Sequence, residues 1–342
     1  MRYLIIGGAG FIGCNAAEHY INKGESVTLL DNFSRQGAFW NVEWLKQKAG
    51  KNLKVRFCDI RKDTDVLLEE SKKSDVVFHF AAQVAVTTSV VNPVLDFEVN
   101  ALGTFNVLEA VRNSPNKPIL LFSSTNKVYG GMEYEKISEQ EKRYGYANLP
   151  SGVPETQLLD FHSPYGCSKG TADQYVRDYS RIYGLKTVVL RQSCIYGPRQ
   201  FGVEDQGWVA HFIIATVFNK PITVYGTGKQ VRDILFVSDL VSAYDCALKR
   251  IDKVSGKIYN IGGGPNNTLS LIELIEFLEK NLNTKIKYKL SDWRPGDQPV
   301  FICDIAKAKS ELGWEPQVNV ETGLKKLITW VSENKSLWQK GY

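Results

Sequence analysis

The chain has 342 residues, 43% of them hydrophobic and 23% charged, enough to bury the core of a globular protein with two lobes. A net charge of +5, with Lys and Arg scattered rather than clustered, argues against a nucleic-acid surface and suits an anionic small molecule. Cys14, Cys58, Cys167, Cys194, Cys246 and Cys303 form no C-x-x-C pair and the four His show no ligand spacing, so no metal is expected and the cysteines read as buried thiols of a reducing compartment. No apolar run approaches 18 residues and no signal segment precedes the first strand, so no membrane contact and a cytoplasmic location are expected.

In chain order, RYLIIGG reads as a buried strand and Phe11 to Lys23 as a helix. SVTLLDN, LKVRFCDI, DVVFHFAA, PILLFSST and TVVLRQS follow as further strands, separated by helical stretches such as ALGTFNVLEAVR. Strands that alternate with helices and are apolar on both faces form parallel β-α-β units. The predicted fold is therefore α/β, a Rossmann-type doubly wound parallel sheet. The second half is less regular: KPITVYGTGKQVRDILFVSDL places glycine turns between short strands. SLIELIEFLEKNL is an amphipathic helix opened by a Ser270–Glu273 capping box, and DIAKAKSELGWEP a helix stopped by Gly313 and Pro316. This half predicts a smaller mixed α/β substrate lobe. YNIGG, residues 259–263, reads as a strand returning to the first lobe. The expected division is 1–194 plus about 233–262 for the nucleotide-binding domain, with 195–232 and 263–330 for the smaller lobe.

GGAGFIG follows a strand and opens a helix, with Gly7, Gly10 and Gly13 at G-x-x-G-x-x-G spacing. Such glycines let the backbone approach a pyrophosphate, which the N–H groups of the helix start, at Phe11, Ile12 and Gly13, would receive. Asp31, 18 residues beyond Gly13, ends the second strand, where a carboxylate accepts from ribose hydroxyls and repels a 2′-phosphate. NAD is the expected cofactor, although Arg35 nearby could meet that phosphate. Asn32 and Ser34 belong to the same turn. Asp59 and Ile60 follow the third strand and could meet the adenine, or Asp59 could simply cap a helix. Phe80, Ala81, Ala82 and Gln83 end the fourth, small enough to leave room for a cofactor.

YGCSK sets Tyr165 and Lys169 at i and i+4, on one face of a helix. An ammonium beside a phenol favours the phenolate, so the expectation is a tyrosine drawn from about 10 toward neutrality and able to act as a general base. YGTGK at 225–229 repeats the spacing inside a glycine turn and is set aside.

The glycine triplet, Asp31, SSTNKVYG, YGCSK, YGPRQ and RPGDQ together resemble the extended short-chain dehydrogenase/reductase family acting on nucleotide sugars, across nearly the whole chain. The resemblance implies bound NAD, a Thr125–Tyr165–Lys169 trio and a sugar nucleotide between the lobes, with Asn100, Ser123 and Ser193 on the cofactor side. Ile6 departs from a family pattern that often has Thr there. Dehydratases of this family carry Asp-Glu after the Thr; Asn126 and Lys127 stand here, and Asn cannot protonate a leaving hydroxyl. Oxidation, rotation and reduction of the sugar need no such acid, so epimerisation is expected. DNFSRQGAFWN, AAQVAVTTSVVNP, DFHSPYGCSKG, YGPRQF and DQGW resemble the branch that inverts C2 of a CDP-linked 3,6-dideoxyhexose, CDP-paratose to CDP-tyvelose, for bacterial surface polysaccharide. The alternatives are a UDP-hexose 4-epimerase, a nucleotide-sugar 4,6-dehydratase and a non-catalytic NAD-binding protein. Arg232 and Arg294, with Arg199 third, are the expected diphosphate ligands, since guanidinium forks match phosphate oxygens. Val84, Asn126, His162, Cys194, Gln206 and Trp208, with Thr125, complete the expected sugar-nucleotide pocket. The 36 positions from Tyr129 to Tyr165 predict a lid or extra loop over residues 131–160. A homodimer or homotetramer through NALGTFNVLEAVR and SKGTADQYVRDYSRIYG is the expected assembly.

Overall fold

The computed structural model describes residues 1–294 and 296–339; Pro295 of the RPGDQ run lies outside them. The central sheet has seven parallel strands: β1 (Arg2–Ile6), β2 (Ser26–Asp31), β3 (Leu53–Phe57), β4 (Val76–His79), β5 (Ile119–Thr125), β6 (Thr187–Gln192) and β7 (Lys257–Ile261), in the order β7-β6-β5-β4-β1-β2-β3. Order reverses between β1 and β4, so a crevice opens there at the carboxyl ends of the strands. YNIGG does return to this sheet, Tyr259 pairing with Leu190.

The strands alternate their burial between two cores, as pleating requires. Along the chain, helices A (Phe11–Asn22), B (Ala38–Ala49), C (Gly103–Arg112), D (Ser163–Tyr183) and E (Val237–Lys249) cover the two faces. Tyr3 and Ile5 of β1 meet helices A, B and, from the far end of the chain, E. Leu4 and Ile6 meet helices C and D on the opposite face.

The smaller lobe is a sheet of short strands around Val231–Phe236, which pairs in parallel with Cys194–Tyr196 and Val300–Phe301 and antiparallel with Thr268–Ser270. Helices Trp208–Val217, Leu271–Leu282 and Val320–Glu333 pack on it through a third core. The capping box is present: Glu273 N donates to Ser270 Oγ at 3.1 Å and Ser270 N to Glu273 Oε2 at 2.8 Å.

One boundary and one segment differ from the sequence reading. The return to the first lobe begins at Val237 rather than at 233, because strand Val231–Phe236 finds its partners in the smaller sheet. Residues 131–160 are no free lid. Hairpin strands Ile137–Glu139 and Tyr144–Tyr146 form there; Tyr144 N donates to Lys229 O at 2.8 Å, and Met132 and Val153 are buried against Phe301 and Cys303. The segment is a strap tied to both lobes, since Asn260 of β7 also donates through Nδ2 to Val153 O at 2.8 Å. The thiols are also less uniform than expected: Cys14, Cys58 and Cys303 are buried, Cys194 and Cys246 half-buried, Cys167 exposed. Among the described residues no helix is long and apolar enough to cross a membrane, and no His, Cys, Asp and Glu cluster could hold a metal ion.

Candidate active site

The glycine loop lies at the sheet's switch point. Gly7 has φ +81°, and a Cβ there would come within 2.5 Å of Ala81 N, so only glycine lets this turn pass beneath the end of β4. Helix A begins at Phe11 with no side-chain cap and no acid in its first turn. Its first N–H groups, including those of Phe11, Ile12 and Gly13, thus face the crevice as a ready anion site. Asp31 ends β2 beside this loop, accepting from Ala9 N at 2.9 Å and Phe33 N at 2.8 Å; burial pushes its carboxyl above the usual range. Asn32 and Ser34 lock to each other through Ser34 Oγ and Asn32 Oδ1, 2.7 Å apart. This donor set fits a dinucleotide: N–H groups for the pyrophosphate and a carboxylate for the ribose.

Other residues expected on the cofactor side serve the walls. Phe80 and Ala81 donate their N–H groups to Ile6 O at 2.8 and 2.9 Å, with Ala82 next in the same crossing. Asp59 is held by Arg61, with Arg61 Nη2 at 2.7 Å, which keeps its carboxyl below its usual value; Ile60 packs against Gly103. Asn100 accepts from Gln83 N at 2.9 Å and donates to Gln83 O, Asp96 and Ser168, so it braces the floor behind helix D. Ser193 turns toward the buried Asp233, donating to its carbonyl at 3.0 Å.

Thr125 closes β5, and Tyr165 opens helix D after Pro164, with Lys169 one turn further on. All three are buried, and the Thr125 and Tyr165 hydroxyls face each other. The predicted fall of the tyrosine toward neutrality is not found. Burial pushes its phenol up to about 12, against smaller opposing effects of Thr125 and Arg35. Lys169 gives its ammonium to Ser123 O at 2.6 Å, and burial lowers that amine to about 7. Desolvation penalises both charged forms and is the largest cause of each shift; the charges that oppose it come from other residues, Arg35 for the phenol and Asp173 and Asp96 for the amine. Ser124 donates to Asp173 at 2.7 Å, completing a buried ion pair with Arg191.

Between the lobes runs a cleft of about 310 Å³. Val84, Thr125, Asn126, Tyr165, Cys194, Gln206, Trp208, Arg232 and Arg294 line it. Arg232 pairs with Asp297 at 2.6 Å; Arg294 lies 3.8 Å over the Tyr225 ring and 3.1 Å from Asp205. Arg35 crosses from the nucleotide lobe to Gln206 Oε1 at 3.3 Å. Two expected ligands lie elsewhere. Arg199 stacks on Trp44 at 4.1 Å and faces Trp330, because those rings take its planar cation. His162 is exposed at the N-cap of helix D and is not part of the lining.

The sequence reading did not assign Lys127, Glu204, Asp205, Tyr225, Gln230 or Asp297 to the site, yet all line the cleft. The acidic VEDQGW run beside the predicted ligands Gln206 and Trp208 was the available signal.

Comparison with known proteins agrees with this geometry. Residues 4–327 match the family described as GDP-mannose 4,6 dehydratase. A CDP-paratose 2-epimerase of Salmonella typhi is 46% identical over 338 residues, 97% of this chain and 99% of that protein. The solved UDP-glucose 4-epimerase of Thermotoga maritima with UDP-glucose has a TM-score of 0.81 at 30% identity, covering 98% of this chain and 100% of that one. The UDP-glucuronic acid 4-epimerase of Bacillus cereus, in complex with UDP-glucuronic acid and NAD, has a TM-score of 0.83 at 27% identity, covering 97% and 99%.

Proposed function

Because the chain belongs to the GDP-mannose 4,6-dehydratase family of extended short-chain dehydrogenases/reductases, and is an NAD-dependent nucleotide-sugar epimerase, we propose that its substrate is a CDP-linked 3,6-dideoxyhexose inverted at C2. The observation that carries this reading is the head of the cleft. Thr125 and Tyr165 face each other there, and the strand continues into Asn126 and Lys127, with no carboxylate where a dehydratase needs its acid. The carboxylates that line the cleft are engaged: Asp297 by Arg232, Asp205 by Arg294, Glu204 by the Tyr225 hydroxyl. The 46% identity to the CDP-paratose 2-epimerase supports the base and the carbon.

In this mechanism NAD, when bound, supplies a hydride acceptor and a positively charged ring. Thr125 holds the C2 oxygen, and Tyr165, whose phenol at about 12 in the cofactor-free chain would be drawn down beside that positive ring, takes its proton as phenolate and later returns it. Lys169 braces the cofactor side from Ser123, and Arg232 and Arg294 exchange their carboxylate partners for the diphosphate. Asn126 bonds Thr125 and cannot protonate a leaving group, so the sugar keeps its hydroxyls. The ketone formed at C2 turns over in the cleft and is reduced on its opposite face, with no net redox change.

The test is incubation with CDP-paratose, CDP-tyvelose and UDP-glucose, followed by NMR of the sugar. C2 inversion of the CDP-sugars without turnover of UDP-glucose is expected; the reverse pattern overturns the assignment. The same reading includes a homodimer paired through helices C and D, supported by their exposed Phe105, Tyr175, Ile182 and Tyr183.

A further inference from the structure

Lys127 is a half-buried cation of the cleft whose ammonium is held by neutral groups. Its amide N–H donates to Thr125 Oγ1 at 3.2 Å, which fixes it directly beside the reacting end. Nζ donates to Gly296 O at 3.0 Å and to Gln298 Oε1 at 3.2 Å. Both partners are neutral, and an ammonium has a third N–H to give. Among the described residues no carboxylate forms an ion pair with it, whereas Arg232 and Arg294 each have one. Asp297 acts on the Lys127 amine at longer range but is already paired with Arg232, so a half-buried ammonium bonded to neutral groups is best completed by an anion from the ligand.

The position of that anion bears on which carbon reacts. C2 is bonded to the anomeric carbon, which carries the phosphate, whereas C4 lies across the ring. Bringing C2 between Thr125 and Tyr165 therefore draws the sugar-linked phosphate toward the Thr125 end of the cleft. C4 chemistry would hold it a ring's width away. Resting on the nucleotide-sugar reading above, we propose that Lys127 binds the sugar-linked phosphate and so selects C2 over C4.

The test compares CDP with CMP, which lacks that phosphate, by calorimetric titration of the NAD-loaded enzyme. Lys127→Met lowers CDP affinity roughly tenfold or more, the size of a lost charge-assisted bond, and leaves CMP binding within about twofold. Lys127→Gln, which keeps a donor for the Gly296 carbonyl without the charge, gives the same result and decides the matter if the Met variant does not fold. Equal losses for both nucleotides mean that Lys127 only pins the 296–298 loop; no loss for either means it touches nothing. Each of these outcomes overturns the proposal. If the wild type binds UDP and not CDP, the base assignment fails, and the UDP and UMP pair decides Lys127 by the same criterion. A wild type that binds no diphosphate better than its monophosphate also overturns it.

Discussion

At the scale of single residues, the site is governed by burial. Lys169 is 3% exposed, and desolvation lowers its amine to about 7, with Asp173 and Asp96 opposing from helix D and from the segment before helix C. An unfolded lysine titrates near 10.4. Below about pH 7 both states hold the proton and the burial penalty is fully present. As pH rises from there toward the unfolded value, the folded chain releases a proton that the unfolded chain keeps, so this group makes folding more favourable. Lys169→Met removes that slope. Urea midpoints at pH 7 and 9.5 should therefore show the wild type gaining on the variant at the higher pH; parallel midpoints would refute the buried amine. The phenol of Tyr165, pushed up to about 12, holds its proton throughout this range and adds nothing to the slope.

At the scale of elements, the glycine loop is the tightest piece of construction. A Cβ on Gly13 would lie 2.3 Å from Gly7 O and 2.7 Å from Gly8 Cα, both backbone atoms that cannot swing aside. On Gly10 it would meet only Gly7 O, at 3.3 Å. Gly13→Ala should thus force helix A from the loop, costing about 1–3 kcal/mol of stability and at least roughly tenfold in NAD affinity. Gly10→Ala should disturb the fold less. Thermal melts and NAD titration check this, and equal melting points for both variants would contradict the packing argument. This loop, the buried strands and the Tyr165–Lys169 spacing were legible in the sequence because each is a local pattern with a local cause. The strap at 131–160 was not: its few buried residues, Met132 and Val153, find Phe301 and Cys303 some 150 or more positions away, and nothing nearby signals that. Arg199 was misread for the same reason. Its motif gives a guanidinium but no direction, and the Trp44 and Trp330 rings that claim it come from distant helices. The placing of Tyr165 and Lys169 one turn apart on a helix was legible, while their protonation depends on a burial that spacing does not encode.

At the scale of the whole molecule, one face of the nucleotide lobe is apolar where water should select against it. Ile182 is 65% exposed and Tyr183 49% on helix D, with Phe105 at 38% on helix C and Phe97 at 58% just before it. Phe105 and Tyr175 meet edge to face at 5.9 Å, which joins the two helices into a single aromatic surface. Scattered apolar residues need no explanation, but a contiguous patch on two adjacent helices does. A two-fold axis through them would bury the patch against its own copy, the commonest closed arrangement for soluble chains. It would also brace helix D, which carries Tyr165 and Lys169, from the side away from the cleft. Sedimentation of the wild type should give twice the mass of one chain. Ile182→Asp together with Phe105→Asp should give a single chain that still binds NAD, since neither residue belongs to the crevice, but that turns over more slowly because helix D has lost its support. A wild type that sediments as one chain at micromolar concentration rules out this pairing, and a monomeric variant with undiminished turnover rules out the brace.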